Sequence, residues 1–399
     1  MKKKILLIDD NYHSSEQGAF LNAFERSFLT KNGYDVYTFS FPEELPSNPL
    51  ESDFFYKTPR NYLLQKGGKF IGNHFVINYL KNVIKKIDPD IVHCHLISKY
   101  PAEVYSALDA RIPNIQTLHG PNLFCATSWG CRKGSVPCEL GIGIKCYLRG
   151  CMTLSETILY NYLDARTWDN LIGKIKFFHC PSRNIMNTAL RLGIERVAHI
   201  PLGISDTFMN VNRVKPSGDP TIVFVGSLEK CKGVDKLVEA MRIVVQILPK
   251  AKLRIAGKGG LQDQLVRRVS ELHMNETVEF MGHIPHSSLL HEYSRADVLV
   301  IPSVWQEQFG LVGPEAMACG LPCIGSDIGG IPEWLFHGEW GLLVPPGNIA
   351  CLAAAIIKVL SDRDWAYEAG LAAQTYVRKN YTSTEYGNRL IALFEETMD

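Results

Sequence analysis

The sequence lacks the features that define three classes of protein. No apolar run approaches the roughly 20 residues that a membrane span needs. The net charge is only +1, which argues against an extended nucleic-acid surface and against an acidic tail. A secretory signal is also missing, because the first apolar stretch, residues 5–8, is short and ends in Asp9 and Asp10. Without an export signal, the odd count of eleven cysteines favours a reducing cytosol, so we expect a cytoplasmic protein with no nucleic-acid partner.

Two series of alternating strand and helix patterns follow one another along the 399 residues. The first series has apolar strand patterns at residues 5–8, 34–41, 90–95 and 113–120. Helical patterns lie between them at residues 19–30, 70–87 and 99–110, and another follows at residues 154–171. A segment rich in glycine and proline, residues 202–220, separates it from a second series that starts at Thr221. A chain of this length exceeds one hydrophobic core. We therefore predict an α/β fold with two doubly wound, Rossmann-like domains that face each other across a cleft.

Two glutamates, Glu307 and Glu315, flank a loop that leads from an apolar strand pattern into a short helical pattern. Pro314 suits the first position of that helix and Gly320 suits its end, so we predict a helix over residues 314–319. Open α/β sheets bind ligands at the carboxyl ends of their strands, and N–H groups at a helix start can hold an anion. Carboxylates instead accept hydrogen bonds from hydroxyls. The pair indicates a nucleotide sugar, whose hydroxyls flank its phosphates; two exposed glutamates beside an ordinary loop are the alternative.

Two residues of the first half are further candidates for ligand contact. His119 ends the strand pattern at residues 113–120 and would lie at the ligand edge of the sheet, although buried structural histidines are also common. Gly18 precedes the helical pattern at residues 19–30, where a glycine lets a ligand approach the backbone. A simple turn glycine is the alternative for Gly18.

Short motifs occur in a fixed order along both halves. The N-terminal half has Thr117-x-His119-Gly120 and Ile200-Pro201-x-Gly203-Ile204. The C-terminal half has Gly226-Ser227-Leu228, Lys232-Gly233, Glu307-x-Phe309-Gly310, Glu315-Ala316-Met317-Ala318-Cys319-Gly320-Leu321-Pro322, Ser326-x-x-Gly329-Gly330-x-x-Glu333 and Gly341-Leu342-Leu343-Val344-x-Pro346-Gly347. Together these motifs closely resemble those of the family-4 retaining glycosyltransferases, the glycosyl transferases group 1.

The resemblance implies the GT-B fold, in which the C-terminal domain holds most of a nucleotide sugar and the N-terminal domain holds the acceptor. It predicts an acceptor-side domain at residues 1–204, with a cysteine-rich insert at residues 121–152. A linker at residues 205–220 and a nucleotide-sugar-binding domain at residues 221–382 follow. The final helix, residues 383–399, is expected to return to the N-terminal domain.

The resemblance also implies roles for individual residues. Glu315 would accept hydrogen bonds from the ribose, Glu307 would lie near the hydroxyls of the donor sugar, and Lys232 would neutralise the diphosphate. His119 would lie near the donor sugar and Gly18 in the loop that closes over the phosphates. His119, Lys232 and Glu307 are thus the candidate catalytic residues. The other donor-binding candidates are Ile284, beside the base, and Phe309, Gly310, Leu311 and Val312, whose backbone would face the sugar and the distal phosphate.

The chain departs from the family pattern at Ser227, where the family usually has an arginine. The loss of that arginine removes one positive charge from the diphosphate site, and Lys230 is a candidate replacement. The family needs no metal, and the sequence has no Asp-x-Asp where the donor diphosphate should lie. We therefore expect no metal and no cofactor besides the nucleotide-diphosphate sugar that serves as donor.

The resemblance predicts transfer of a hexosyl group with retention of configuration to a saccharide or a lipid-linked saccharide. Cell-surface polysaccharide or glycoconjugate synthesis at the inner face of the membrane is the expected setting. Two alternatives from other classes stay open: a nucleotide-sugar epimerase on the same fold, and a non-catalytic nucleotide-sugar binder. Neither the base and sugar of the donor nor the acceptor follows from the sequence.

The insert at residues 121–152 holds five of the eleven cysteines. Four thiolates can form a closed tetrahedral zinc site, and a segment with little apolar content needs such a support. The candidate ligands are Cys125, Cys138, Cys146 and Cys151, with Cys131 left over. The spacings lack the close pairs of zinc ribbons, so packing of free thiols and a disulfide remain alternatives.

Overall fold

The computed structural model describes residues 2–10, 17–46, 49–58, 73–97, 99–120, 125, 131–132, 136–138, 143–159, 161 and 173–398. Several sequence predictions lie largely outside these residues. They are the polar loop before Gly18, the start of the helix predicted from residue 70, most of the cysteine-rich insert, and the end of the helix predicted over residues 154–171. Residues 154–159 are helical, in keeping with the start of that last prediction.

The N-terminal half is built on a sheet of seven parallel strands. Its order is β3-β2-β1-β4-β5-β8-β9, and the strands are β1 (Lys4–Asp9), β2 (Asp35–Ser40), β3 (Asp53–Phe55), β4 (Ile91–Cys94), β5 (Asn114–Thr117), β8 (Phe177–Cys180) and β9 (Val197–His199). A separate antiparallel pair consists of β6 (Cys131–Arg132) and β7 (Val136–Pro137). Helices α1 (Gln17–Lys31), α2 (His74–Ile87), α3 (Pro101–Ala107), α4 (Ile144–Leu148) and α5 (Arg183–Arg191) connect or follow these strands.

The C-terminal half is built on a sheet of six parallel strands. Its order is β12-β11-β10-β13-β14-β15, with β10 (Thr221–Val225), β11 (Lys252–Ala256), β12 (Val278–Gly282), β13 (Val298–Ile301), β14 (Cys323–Ser326) and β15 (Gly341–Val344). The helices are α6 (Asp206–Met209), α7 (Val234–Ile247), α8 (Gln262–Glu271), α9 (Leu289–Arg295), α10 (Val312–Ala318), α11 (Ile349–Ser361), α12 (Arg363–Asn380) and α13 (Ser383–Met398). The predicted fold class, two doubly wound α/β sheets, is therefore confirmed.

Local sequence signals explain where several helices begin. Asn73 caps α2 by accepting hydrogen bonds from the N–H groups of Phe75 and Val76, and Ser182 and Asn348 each accept one such bond at the starts of α5 and α11. Helix α2 then buries one stripe of residues at helical spacing, Val76, Leu80, Val83, Ile84 and Ile87, against the sheet. Among the described residues, no helix is long and apolar enough to cross a bilayer.

Three boundaries differ from the sequence predictions. Helix α10 begins at Val312, two residues before Pro314, because Gly310 has a φ of +77° and the chain turns into the helix directly after it. Proline is still tolerated there, since the first helical N–H groups have no partner inside the helix. Helix α3 is shorter than the pattern at residues 99–110, and begins at Pro101. Strand β3 was not predicted, because three edge residues carry too little pattern.

The final helix, α13, packs against elements of the N-terminal half. Gly387 approaches Phe28 of α1 so closely that an added Cβ would lie 2.4 Å from its ring. Lys176 donates a hydrogen bond of 2.5 Å to the carbonyl of Thr397. Just before α13 the chain passes Ile204, whose N–H donates to the carbonyl of Tyr381 at 2.9 Å. These contacts are in keeping with a returning helix, and the domain bounds given above stay a prediction.

Candidate active site

Lys232 and Glu307 are in direct contact. The Nζ atom of Lys232 lies 2.7 Å from Oε1 of Glu307, and the Ser303 hydroxyl donates to the same oxygen at 2.7 Å. The two segments meet because the N–H of Val304, after β13, donates to the carbonyl of Cys231 at 2.8 Å. The ammonium group also lies 4.5 Å from the centre of the Trp305 ring, a cation–π contact. The loops after two neighbouring strands, β10 and β13, thereby place a cation and a carboxylate at the ligand edge of the sheet.

The loop that carries Glu307 is held by the glycine pair that follows β14. The N–H of Gly330 donates to the carbonyl of Glu307 at 2.7 Å. The indole of Trp334 donates to the carbonyl of Phe309 at 2.6 Å, and Phe309 is buried. The motif Gly329-Gly330 therefore supports the loop through backbone contacts, a role that the sequence pattern did not reveal.

Glu315 lies in the first turns of α10 and contacts a histidine that the sequence analysis missed. His286 Nε2 lies 2.8 Å from Oε1 of Glu315, while Oε2 has no hydrogen-bond partner among the described residues. Burial raises the pKa of Glu315, an effect that His286 partly offsets. The hydrogen bond that His286 donates to Glu315 raises the pKa of His286, against the effect of burial. Only the closeness of His286 to Ile284, two residues earlier, gave a signal in the sequence.

His119 lies just beyond β5, at the carboxyl edge of the N-terminal sheet. Its Nε2 atom is 2.9 Å from Nδ1 of His95, which follows β4. Burial, and then the charge of His95, bring the pKa of His119 well below its usual value. His119 is therefore neutral at pH 7, and its ring is held in place by a second histidine.

The remaining donor-site candidates are distributed around the same edge. Ser227 is exposed after β10, and Ile284 is half-buried after β12. Gly310 and Leu311 are half-buried and Val312 is buried at the start of α10. Gly18 lies in the first turn of α1, while the polar loop before it, expected to close over the phosphates, lies outside the described residues.

A contact between the two halves was also not foreseen. The N–H of Asn184, in the first turn of α5, donates to Oε1 of Glu333 at 3.0 Å. The amide of Asn184 donates to the side chain of Gln306 at 3.2 Å, beside Glu307. His199 Nε2 lies 3.5 Å from the other carboxylate oxygen of Glu333. The two halves thus meet next to the loop that holds Glu307.

The four cysteines proposed as metal ligands lie near one another. Burial raises the pKa of Cys146, and the charges of Cys125, Cys151 and Cys138 each add to that effect. The guanidinium of Arg149 lies 3.6 Å from the sulfur of Cys138. The metal hypothesis stays a prediction.

The geometry suits a ligand with hydroxyls and negative charge. Lys232 supplies a positive charge, while Glu307 and the unpartnered oxygen of Glu315 supply acceptors for hydroxyl groups. These groups follow strands β10 and β13 of one parallel sheet, where doubly wound folds bind nucleotides.

Comparison with known proteins gives matches along most of the chain. Residues 27–208 match Glycosyltransferase Family 4, and residues 206–377 match Glycosyl transferases group 1. Glycogen synthase of Mycobacterium tuberculosis (strain H37Rv) is 36% identical over 165 residues, which are 41% of this chain and 40% of the relative. Phosphatidyl-myo-inositol mannosyltransferase of Mycobacterium leprae is 28% identical over 283 residues, 70% of this chain and 72% of that protein. The chain thus spans well under half the length of the first of these relatives.

Solved structures share the complete fold. Sucrose-phosphate synthase from Thermosynechococcus elongatus superposes with a TM-score of 0.76 at 22% identity, over 99% of both chains. Anabaena Alr3699/HepE in complex with UDP and glucose superposes with a TM-score of 0.71 at 17% identity, over 99% of this chain and 100% of the other. At these identities the structures establish the GT-B fold and not the substrate. Both sequence matches and the fold confirm the predicted family: the chain belongs to the family-4 glycosyltransferases, with the domains of the glycosyl transferases group 1 and of Glycosyltransferase Family 4.

Proposed function

We propose that the protein transfers a hexosyl group, with retention of configuration, from a nucleotide-diphosphate sugar to a saccharide or lipid-linked saccharide. The observation that carries the proposal is the group formed by Lys232, Glu307 and Ser303 at the carboxyl edge of the C-terminal sheet. The site offers one cation and several acceptors, the complement of a diphosphate flanked by sugar hydroxyls.

Lys232 has the role of opposing the charge that develops when the diphosphate leaves. In the structure, the carboxylate of Glu307 neutralises the ammonium group of Lys232. An incoming diphosphate competes with Glu307 for the ammonium group, and the freed carboxylate oxygen is then available to a hydroxyl of the donor sugar. Preorganised donors of this kind stabilise the transition state more than the ground state. In the chemistry that we propose, the bond from the sugar carbon to the phosphate oxygen breaks, and the departing phosphate oxygen takes the proton of the acceptor hydroxyl on the same face.

Glu315 has the role of accepting hydrogen bonds from the ribose. One of its oxygens already contacts His286, and the other is buried without a hydrogen-bond partner among the described residues. A buried acceptor without a partner is unfavourable, and a ribose hydroxyl removes that cost. The backbone after β12, near Ile284, then faces the base.

The acceptor is expected on the N-terminal half, beside His119. A lipid-linked acceptor would place the enzyme at the inner face of the membrane, in cell-surface polysaccharide or glycoconjugate synthesis. The phosphatidyl-myo-inositol mannosyltransferase of Mycobacterium leprae, a relative named for a lipid, favours a lipid-linked acceptor.

The test is a panel of nucleotide sugars incubated with purified protein, with and without a panel of saccharide acceptors. Two results would support the proposal. The release of nucleoside diphosphate should increase with acceptor, and NMR should show the same anomeric configuration, axial or equatorial, in the product as in the donor. Epimerised donor formed without acceptor would support the epimerase instead. Binding without release across the whole panel would indicate a non-catalytic binder. The same assay in excess chelator tests metal independence, since activity lost in chelator and restored by magnesium or manganese would contradict the role given to Lys232.

A further inference from the structure

A row of buried polar side chains runs from His119 to the final helix. His95 lies between His119 and Glu25 of α1: its Nδ1 is 2.9 Å from His119, and its Nε2 is 3.1 Å from Oε2 of Glu25. The other oxygen of Glu25 accepts a hydrogen bond from the hydroxyl of Tyr386 in α13. His95 and Glu25 are about 1% exposed, and Tyr386 is buried as well. The proposed catalysis uses only His119 of this row.

The hydrogen bonds around Thr117 fix the protonation of a neighbouring histidine. His179 Nε2 lies 2.8 Å from the carbonyl of Ile200, so this nitrogen carries a hydrogen. Burial lowers the pKa of His179 to about 4, so the ring is neutral and its Nδ1 accepts from the Thr117 hydroxyl at 2.9 Å. Because the Thr117 hydroxyl gives its only hydrogen to His179, its oxygen must accept from His93 Nε2, which lies 2.6 Å away.

His93 therefore turns a lone pair toward a carboxylate. Burial lowers the pKa of His93 to about 4, so its second nitrogen, Nδ1, carries no hydrogen at pH 7. That nitrogen lies 3.3 Å from Oε2 of Glu25. Two electron-rich atoms at this distance in a buried site repel each other unless a positive group lies beside them. His95, which is 3.1 Å from the same oxygen, is the group in position to supply the charge.

His95 as an imidazolium determines the state of His119. Burial alone lowers the pKa of His95, but the charge of Glu25, aided by Asp9, raises it above its usual value. Burial likewise raises the pKa of Glu25, yet the charge of His95 brings it well below its usual value. The charged His95 donates from Nδ1 to Nε2 of His119. Neutral His119 then carries its own hydrogen on Nδ1, the nitrogen not used by His95.

We propose that His95 is a positioning residue that, held by Glu25 and by Tyr386 of the final helix, fixes the ring and the tautomer of His119 so that His119 acts as a hydrogen-bond donor to the donor sugar. The proposal rests on the proposed function for the role of His119. It also gives α13 a function beyond packing, because the hydroxyl of Tyr386 ends the row that orients an active-site ring.

Substitution of His95 by asparagine or by glutamine tests the roles of its two ring nitrogens separately. The amide of asparagine takes the place of Nδ1 and can still donate to His119, while the amide of glutamine takes the place of Nε2 and reaches only Glu25. In protein labelled with ¹⁵N-histidine, we expect NMR to show His119 protonated on Nδ1 in the wild type and in His95→Asn. In His95→Gln we expect a mixture of both tautomers. An unchanged His119 tautomer in His95→Gln would overturn the proposal.

Kinetics give the second readout. Partners that orient metal-bound histidines are worth about 10- to 100-fold in metal affinity or activity, and we expect a similar effect here. His95→Gln should thus lower kcat about 10- to 100-fold with donor KM changed less than threefold, and His95→Asn should recover most of kcat. Equal losses in the two variants would indicate a structural role and contradict positioning.

Tyr386→Phe tests the end of the row at α13, because it removes only the hydroxyl and keeps the ring in place. Its matched control is Tyr34→Phe, because Tyr34 makes another hydroxyl contact to α13, at 3.4 Å from Glu395, away from the row. We expect a fall in kcat for Tyr386→Phe only. Equal effects of the two variants would overturn the part assigned to α13.

Two outcomes separate this proposal from others. Glu25, His93 and His95 offer ligand atoms within 4.8 Å of one another. If the wild type contains one equivalent of metal and His95→Gln loses it, these residues form a metal site, and the proposed row of polar contacts is overturned. The tautomer measurement needs no turnover. An altered tautomer in His95→Gln together with no nucleoside diphosphate release by the wild type would sink the proposed function while supporting the row itself.

Discussion

Gly329 and Glu307 are packed so closely that a Cβ on Gly329 would lie 2.3 Å from the backbone oxygen of Glu307. Gly329 also has a φ of +62°, which disfavours any other residue. The loop that presents Glu307 to the ligand can therefore keep its path only if this glycine is retained.

Gly329→Ala should displace the Glu307 loop and lower kcat by at least about tenfold, because a misplacement of about 1 Å in an active site can cost about 100-fold. Gly338→Ala is the matched control, since Gly338 has a φ of +84° but no atom of the described residues within 4 Å of an added Cβ. Both variants carry backbone strain, and only the first carries the collision. The measurements are kcat and the thermal unfolding temperature of both variants. Similar kcat values in the two variants would show that the loop tolerates the shift.

Lys232→Ala should lower kcat by about 100- to 1,000-fold, because it removes the cation proposed to oppose the charge of the leaving diphosphate. Lys236→Ala is the control, since Lys236 pairs with its neighbour Asp235 at 3.1 Å in the next helix. The measurement is kcat for donor hydrolysis and for transfer. A loss below tenfold for Lys232→Ala, with a large loss for Lys230→Ala, would move the role to Lys230.

Glu315→Gln should raise the donor KM more than it lowers kcat. Contacts to the ribose are similar in the ground state and the transition state, so their loss weakens binding uniformly. Glutamine keeps the shape of the side chain while replacing one acceptor oxygen by a donor. Initial rates over a range of donor concentrations provide the check, and parallel falls in kcat and kcat/KM would contradict a ground-state role.

The contact of His286 with Glu315 should make stability depend on pH. The pKa of His286 is raised in the folded state, so its contribution is fully present below the usual value of about 6.5 and is lost as pH rises through the folded pKa. The pKa of Glu315 is also raised, so the ion pair exists between these two raised values. His286→Gln should therefore lower Tm relative to the wild type more at pH 6 than at pH 9.

His291→Gln is the control for that experiment. His291 lies 3.2 Å from Glu292, but its side chain is 63% exposed, and exposed ion pairs contribute little. A difference between wild type and His286→Gln that is the same at both pH values would show that the contact carries no charge.

A bound metal is one hypothesis for the cysteine group, beside packing of the thiols and a disulfide. If Cys125, Cys138, Cys146 and Cys151 hold zinc, protein purified without added metal should contain about one zinc per chain by elemental analysis. Cys138→Ser should then lose the zinc and impair acceptor use while donor binding persists. Cys351→Ser, at an exposed thiol in α11, should keep the metal. Zinc and iron well below one per chain would contradict the metal hypothesis and leave packing of the thiols or a disulfide as the explanation.

The sequence by itself determined the fold class, the order of elements and the family. The apolar patterns predict a helix over residues 234–247 and an edge strand over residues 341–344. Helix α7 and strand β15 have these bounds, because their apolar periodicity reflects burial against the sheet. Lys232, Glu307 and Glu315 were also found from motifs, since each follows a strand whose end can be read locally. The start of α10 was predicted two residues late, because the turn at Gly310 depends on backbone geometry that proline rules do not express.

Only the tertiary structure decided which of these residues touch and what holds them. His286 meets Glu315, Gly330 meets Glu307, and His95 joins His119 to Glu25 and the final helix. These partners are tens to hundreds of residues apart, and no periodic pattern links them. Their contacts arise because parallel strands bring their carboxyl ends to one edge and because α13 packs back onto α1, which are properties of the assembled sheets and not of any segment.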